Sequence, residues 1–309
     1  MTQPAPRQVV RLAWGALAVN LVVILLGALV RATGSGSGCG RSWPTCEGKL
    51  IPSRLEGATL IEFSHRAISG IALLVVIGLL VSIRRRPEST AMLRRAAWFA
   101  VVTIVIEALI GAGIVLFEWV VDDSSVARTI AVPLHLVNTL LLLAALTAVL
   151  VLSDGRRLER PEPEIRRLLG LGIGAMIFVA ATGAVTALAD TLFPSESVSA
   201  GLGEDFSSAA SFLTRVRVVH PVVAVGTGIL LIWLVSRPPA VRPFRSSIQA
   251  RSIVWLVVAQ VVAGALNVAL LVPVPMQLVH LLLADLLWIS FVWFGLVATT
   301  PQTASISSS

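Results

Sequence analysis

Apolar runs of about 20 residues recur along the whole chain, separated by short polar segments. Each is long enough to cross a hydrocarbon layer roughly 30 Å thick. Eight stand out, near 11–31, 62–82, 96–117, 131–152, 169–189, 215–236, 251–271 and 276–298. The pattern predicts an all-α polytopic membrane protein with eight transmembrane helices. Composition agrees: 56% of the 309 residues are hydrophobic and the mean hydropathy is +0.89. The first run does not read as a cleavable signal peptide, because similar runs follow it and no small-residue cleavage site closes it.

Charge gives this pattern a direction. Arg7 and Arg11 lie in the first segment, Arg84, Arg85, Arg86, Arg94 and Arg95 after span 2, Arg156, Arg157, Arg160, Arg166 and Arg167 after span 4, and Arg237, Arg242, Arg245 and Arg251 after span 6. That places 16 of the 24 basic residues on one side. The opposite segments are acidic or neutral, as in "EWVVDDSSVAR" and "DTLFPSESVSAGLGEDFSS". The positive-inside rule then puts both termini in the cytoplasm and ascribes the net charge of +7 to topology, not to nucleic acid. Trp14, Trp98, Trp119 and Trp233 fall near span ends and read as interfacial anchors. The Ser-rich tail "TASISSS" reads as disordered.

The two halves look like copies. "EALIGAG" in span 3 matches "QVVAGAL" in span 7, which pairs Glu107 with Gln260 and Gly111 with Gly264, and "GALVRATGSG" resembles "VAATGAVTAL". Four spans per copy is an even number, so the copies insert the same way up, as two parallel four-helix bundles. The division expected is 1–152, a linker at 153–168, and 169–309.

The chain has four histidines: His65, His135, His220 and His280, at the starts of spans 2, 4, 6 and 8. All four fall near the outer face, and in repeat register His65 matches His220 and His135 matches His280. A lone intramembrane histidine is more often a polar contact between helices. Four at one depth in matched pairs suit two six-coordinate haems, one per half, each with an imidazole on either face. Zinc wants a third protein ligand, and neither Glu62 nor Asp285 recurs in both halves.

Glu62 lies three residues before His65 and shares its helix face. It can exchange a proton or stabilise positive charge on a reacting carbon; equally, it suits the first turn of a helix. The matching position before His220 is Arg217, an exchange of acid for base that points to chemistry in the first half and a held cofactor in the second. Arg66, Arg215 and Arg217 are candidate partners for haem propionates, and the last two read as well as snorkelling side chains. Cys39 and Cys46 sit in "GSGCGRSWPTCEGKLIP" on the outer side, where a disulfide is permitted. Neither belongs to a C-x-x-C-H haem-attachment pattern. The pair reads as a clip, with a redox role left open.

Together, "GALVRATGSGSGCGRSWPTCEGKLIP", "EFSHR", "EALIGAGIVL", "LHLVNT", "VVHP" and "QLVH" resemble the haem A synthase family over about residues 11 to 298. The resemblance implies oxidation of the C8 methyl of haem O to a formyl group by successive hydroxylations, with water as the oxygen source. It implies Glu62 as the catalytic acid, a substrate haem at His65 and His135, haem B at His220 and His280, and Cys39 and Cys46 as the outer-loop pair. The partners implied are haem O, membrane lipid, a haem O synthase and a separate electron acceptor. Two departures are Arg41-Ser42 before the loop Trp, where many members carry an acid, and Glu107 where Gln is commoner.

The chain has no Tyr, P-loop or reductase domain, so electrons must leave to another protein. Two other readings compete. A dihaem electron carrier needs haems at both depths of the membrane and has no use for Glu62. A haem transporter would hold haem O without converting it.

Overall fold

The computed structural model describes residues 4–156, 158–208, 210–236 and 248–298. Arg157, Arg237, Arg242 and Arg245 of the basic segments, and the tail at 303–309, lie outside these residues. The described chain is helical: α1 Arg7–Ala32, α2 Gly57–Arg84, α3 Ala91–Leu116, α4 Val126–Ser153, α5 Pro163–Leu192, α6 Val198–Asp205, α7 Phe212–Ser236, α8 Ile248–Ala269 and α9 Val274–Ala298. All but α6 are long and apolar enough to cross a membrane.

Several helices begin before the apolar run that marks them, because polar first turns are capped. The Ser125 hydroxyl accepts the Arg128 N–H at 3.2 Å at the head of α4, and Thr90 accepts the Leu93 N–H at 3.1 Å for α3. Pro163 opens α5, where a missing N–H costs nothing. Helix α6 was not expected. It lies inside the acidic segment after α5, too short and too rich in Gly for a hydropathy signal. The Ser197 hydroxyl caps it by accepting the Ala200 N–H at 3.1 Å.

Four connections gather at one end of the bundle. Arg41 in the α1–α2 loop pairs with Glu118 after α3 at 3.3 Å. Arg31, at the end of α1, donates to the Ala187 carbonyl and Thr191 Oγ1 of α5, both at 2.6 Å, and to Gln277 Oε1 of α9 at 2.7 Å. Helices α2, α4, α7 and α9 all start at this end, so the four histidines are held within about three helical turns of it.

Helix α4 is the most enclosed of the spans. One apolar core runs through both halves of the chain, built from residues such as Leu79, Leu143, Leu146, Leu231, Ile253 and Phe291. Trp288 of α9 joins the halves by donating its indole N–H to the Leu140 carbonyl at 2.7 Å. At the opposite end the Ala5 N–H donates to the Ser153 carbonyl at 2.7 Å, which closes the last turn of α4.

Candidate functional site

Each histidine rests on a glycine of the preceding spanning helix. A Cβ placed on Gly27 would stand 3.0 Å from His65 Cε1, on Gly183 2.9 Å from His220 Cε1, on Gly264 3.1 Å from His280 Cε1 and on Gly111 3.7 Å from His135 Cε1. Helix and ring can approach this closely because the glycine carries no side chain. One local unit, a helix with Gly and the next helix with His, therefore occurs four times. His65 and His135 are near enough that charge on one is felt by the other, and so are His220 and His280. All four rings are half-buried.

Their nitrogens are sparingly satisfied. Nδ1 of His65, His135 and His280 is sealed from solvent without a hydrogen bond of full geometry. The Val23 carbonyl lies near His65, and the Val179 carbonyl near His220, each one turn before the glycine beneath that ring. Thr182 Oγ1 is 3.2 Å from His220 Nδ1, Gln260 Nε2 is 3.2 Å from His280 Nε2, and Glu107 Oε1 is 3.2 Å from His135 Nδ1.

Glu62 is 2% exposed and ties α2 to the cysteine loop. Its Oε2 accepts the Cys39 backbone N–H at 2.7 Å, and its Oε1 pairs with Arg66 one turn on. Arg66 also donates to the Ser42 and Thr45 carbonyls of that loop. Cys39 and Cys46 form a disulfide. The loop is further pinned by Thr59 Oγ1, which donates to the Gly38 carbonyl at 2.7 Å. Arg66 is thereby occupied by the loop and by Glu62.

The matching corner of the second half is built from opposite charges. Arg217 pairs with Asp205 at 2.8 Å, lies 3.7 Å from Asp190 and 3.8 Å from Glu204, and donates to the Phe193 carbonyl at 2.9 Å. Arg215 is exposed and reaches only backbone carbonyls, those of Ala210 at 3.2 Å and Ser208 at 3.5 Å. Of the three arginines named as propionate partners, Arg215 is thus the least engaged within the protein.

Could these residues hold a haem? Among the described residues no three His, Cys, Asp or Glu side chains gather into a cage for a bare metal ion. Two imidazoles per half, with under-used nitrogens and glycine beneath each ring, suit an iron whose equatorial ligands come from a porphyrin. The donor set fits that group.

The structure thus brings His65 together with His135, His220 with His280, and Glu62 with Cys39. Two features escaped the sequence reading, and a third, Asp285, entered it only as a candidate metal ligand that does not recur in both halves. Arg31 bridges the halves, and an Arg in the last turn of an apolar span was its available signal. Asp205, the partner of Arg217, had none. Asp285 is 1% exposed with neither oxygen hydrogen-bonded, and an acid in the interior of a span marked it.

The sequence profile of a family described as cytochrome oxidase assembly protein matches residues 10–58 and 54–292. A protein named protoheme IX farnesyltransferase from Thermus thermophilus is 41% identical over 298 residues, which cover 96% of this chain and 49% of that protein. The chain therefore spans about half the length of that relative. A heme A synthase from Alkalihalophilus pseudofirmus is 28% identical over 296 residues, covering 91% of this chain and 94% of the relative. Another, from an Exiguobacterium species, is 34% identical over 160 residues, about half of each chain.

Proposed function

The chain belongs to the haem A synthase family of cytochrome oxidase assembly proteins, and from that premise we propose that it oxidises the C8 methyl of haem O to a formyl group, giving haem A. The observation that carries this reading is the fourfold Gly–His unit, with buried Glu62 three residues before His65 and Arg217 at the matching place before His220. It supports two parallel four-helix repeats, 1–152 and 169–309, joined by 153–168. The Thermus relative adds support, because a region like this chain sits inside a protein named for haem farnesylation, the reaction that would supply a farnesylated substrate.

In this reading His65 and His135 grip the substrate haem O, and His220 and His280 hold haem B. Haem B, when bound, supplies one-electron transfer. The overall change is a methyl group plus water giving a formyl group, four protons and four electrons, and the electrons leave to a separate membrane acceptor. Glu62 takes up protons near the reacting carbon. Its aim is set by the Cys39 N–H on one oxygen and Arg66 on the other. The disulfide end faces outward and the arginine-rich segments face the cytoplasm, so the protein sits in the bacterial cytoplasmic membrane with both termini inside.

The direct test is to supply haem O and a one-electron oxidant to the purified protein and identify the extracted porphyrins. Haem A should accumulate. If haem O is bound and recovered unchanged, with Glu62 and the disulfide intact, the reading is a transporter's and the proposal fails.

A further inference from the structure

We propose that Glu107 is a positioning residue for His135. Its carboxylate faces the imidazole Nδ1–H, leaves Nε2 for iron, and makes the first-half haem harder to reduce than the second-half haem. This rests on the haem reading above and deepens it.

The geometry is specific to one histidine of the four. Glu107 Oε1 lies 3.2 Å from His135 Nδ1, a nitrogen sealed in the protein with no full hydrogen bond of its own. Among the described residues no other histidine pairs with a carboxylate: the Val23 carbonyl stands near His65, where the Arg66 cation is also felt, the Thr182 hydroxyl and the Val179 carbonyl near His220, and the Gln260 amide near His280. The carboxylate is also held in place. Asn138 Nδ2 donates to Glu107 Oε2 and to the Thr103 carbonyl, the latter at 2.9 Å, so the amide can point only one way. Thr139 Oγ1 contacts Glu107 Oε1. Side-chain exposures of 18% for Glu107 and 29% for His135 keep the pair inside the bundle.

The second half lacks this cradle. Gln260 occupies the place of Glu107, and Leu256, Leu283 and Ala284 stand where the first half has Thr103, Asn138 and Thr139. Four polar positions changed together, as expected if the acid and its supports form one device. A carboxylate beside an axial imidazole fixes the tautomer and raises ligand basicity, which favours the oxidised metal. The first-half iron should therefore have the lower midpoint potential.

The experiment is a spectroelectrochemical titration of the haem-loaded protein, wild type against Glu107→Gln. The two potentials are assigned by repeating the titration in His220→Ala, which lacks the second-half haem. In wild type the first-half haem should titrate at the lower potential. Glu107→Gln should raise that midpoint and leave the other in place. Asn138→Leu, which keeps the acid but removes its support, should raise it less, and is the variant to read if Glu107→Gln does not retain the first-half haem. An unmoved midpoint, or an equal shift of both haems, overturns the inference alone. A wild-type protein that binds no haem at His65 and His135 overturns the functional reading instead.

Discussion

Three residues before the first histidine of each half, the chain carries Glu62 in one and Arg217 in the other, and the two corners do the same mechanical job with opposite charge. Each fastens the loop at the disulfide end to the helix bearing the histidine. Glu62 accepts a loop amide, the Cys39 N–H, from a loop closed by a disulfide. Arg217 draws in loop and helix acids, Asp205, Glu204 and Asp190, together with the Phe193 carbonyl. The first solution leaves a carboxylate beside a histidine pair. The second ties Arg217 into ion pairs with Asp205, Asp190 and Glu204 and carries no acid at the place of Glu62.

Breaking the two corners should have different consequences. Glu62→Ala should lower haem A formation by about 10²- to 10⁴-fold while haem B remains bound. Product assays beside pigment analysis check this, and undiminished output would remove Glu62 from its catalytic role. Arg217→Met leaves Asp205 without its buried cation and Asp190 with Arg31 alone, and should cost roughly 3 kcal/mol of stability. Thermal denaturation should show it as a lower Tm, with turnover per folded molecule retained. An unchanged Tm would mean that the acids find other partners.

Opening the disulfide tests the coupling of loop to acid. Cys39 and Cys46 should resist alkylation until a reductant is added. Cys39→Ser should cost about 2 kcal/mol, near the low end for so short a loop, and should reduce haem A output because the loop amide that aims Glu62 is no longer fixed. The smallest effects belong to the glycines. Gly183→Ala and Gly27→Ala press a methyl to 2.9 and 3.0 Å from a ring carbon and should lower haem content per protein. Gly111→Ala, at 3.7 Å, should bind haem like the wild type.

Much of this was legible in the sequence, for physical reasons. Spans announce themselves because hydrocarbon demands about 20 apolar residues, and the four histidines stood out because little else polar enters those spans. What stayed hidden depends on backbone and on packing. One partner of Glu62 is a main-chain N–H, which no residue type reveals. Helix α4 is the centre of the molecule, yet its sequence is no more apolar than its neighbours, since lipid-facing and protein-facing surfaces look alike in a membrane. The glycine beneath each ring was half visible: Gly111 and Gly264 stood in register, but their contact with His135 and His280 needed coordinates. Glu107 read only as a departure from the commoner Gln, and its cradle of Asn138 and Thr139 needed coordinates.

The central claim is that two histidine pairs hold two haems of different roles, and pigment identification in paired variants tests it most directly. Porphyrins extracted from purified His220→Ala/His280→Ala protein should lack haem B yet include haem O, and those from His65→Ala/His135→Ala should show the reverse. If either double variant loses both pigments while still folded, or keeps both, the histidines do not divide the haems and the account is contradicted.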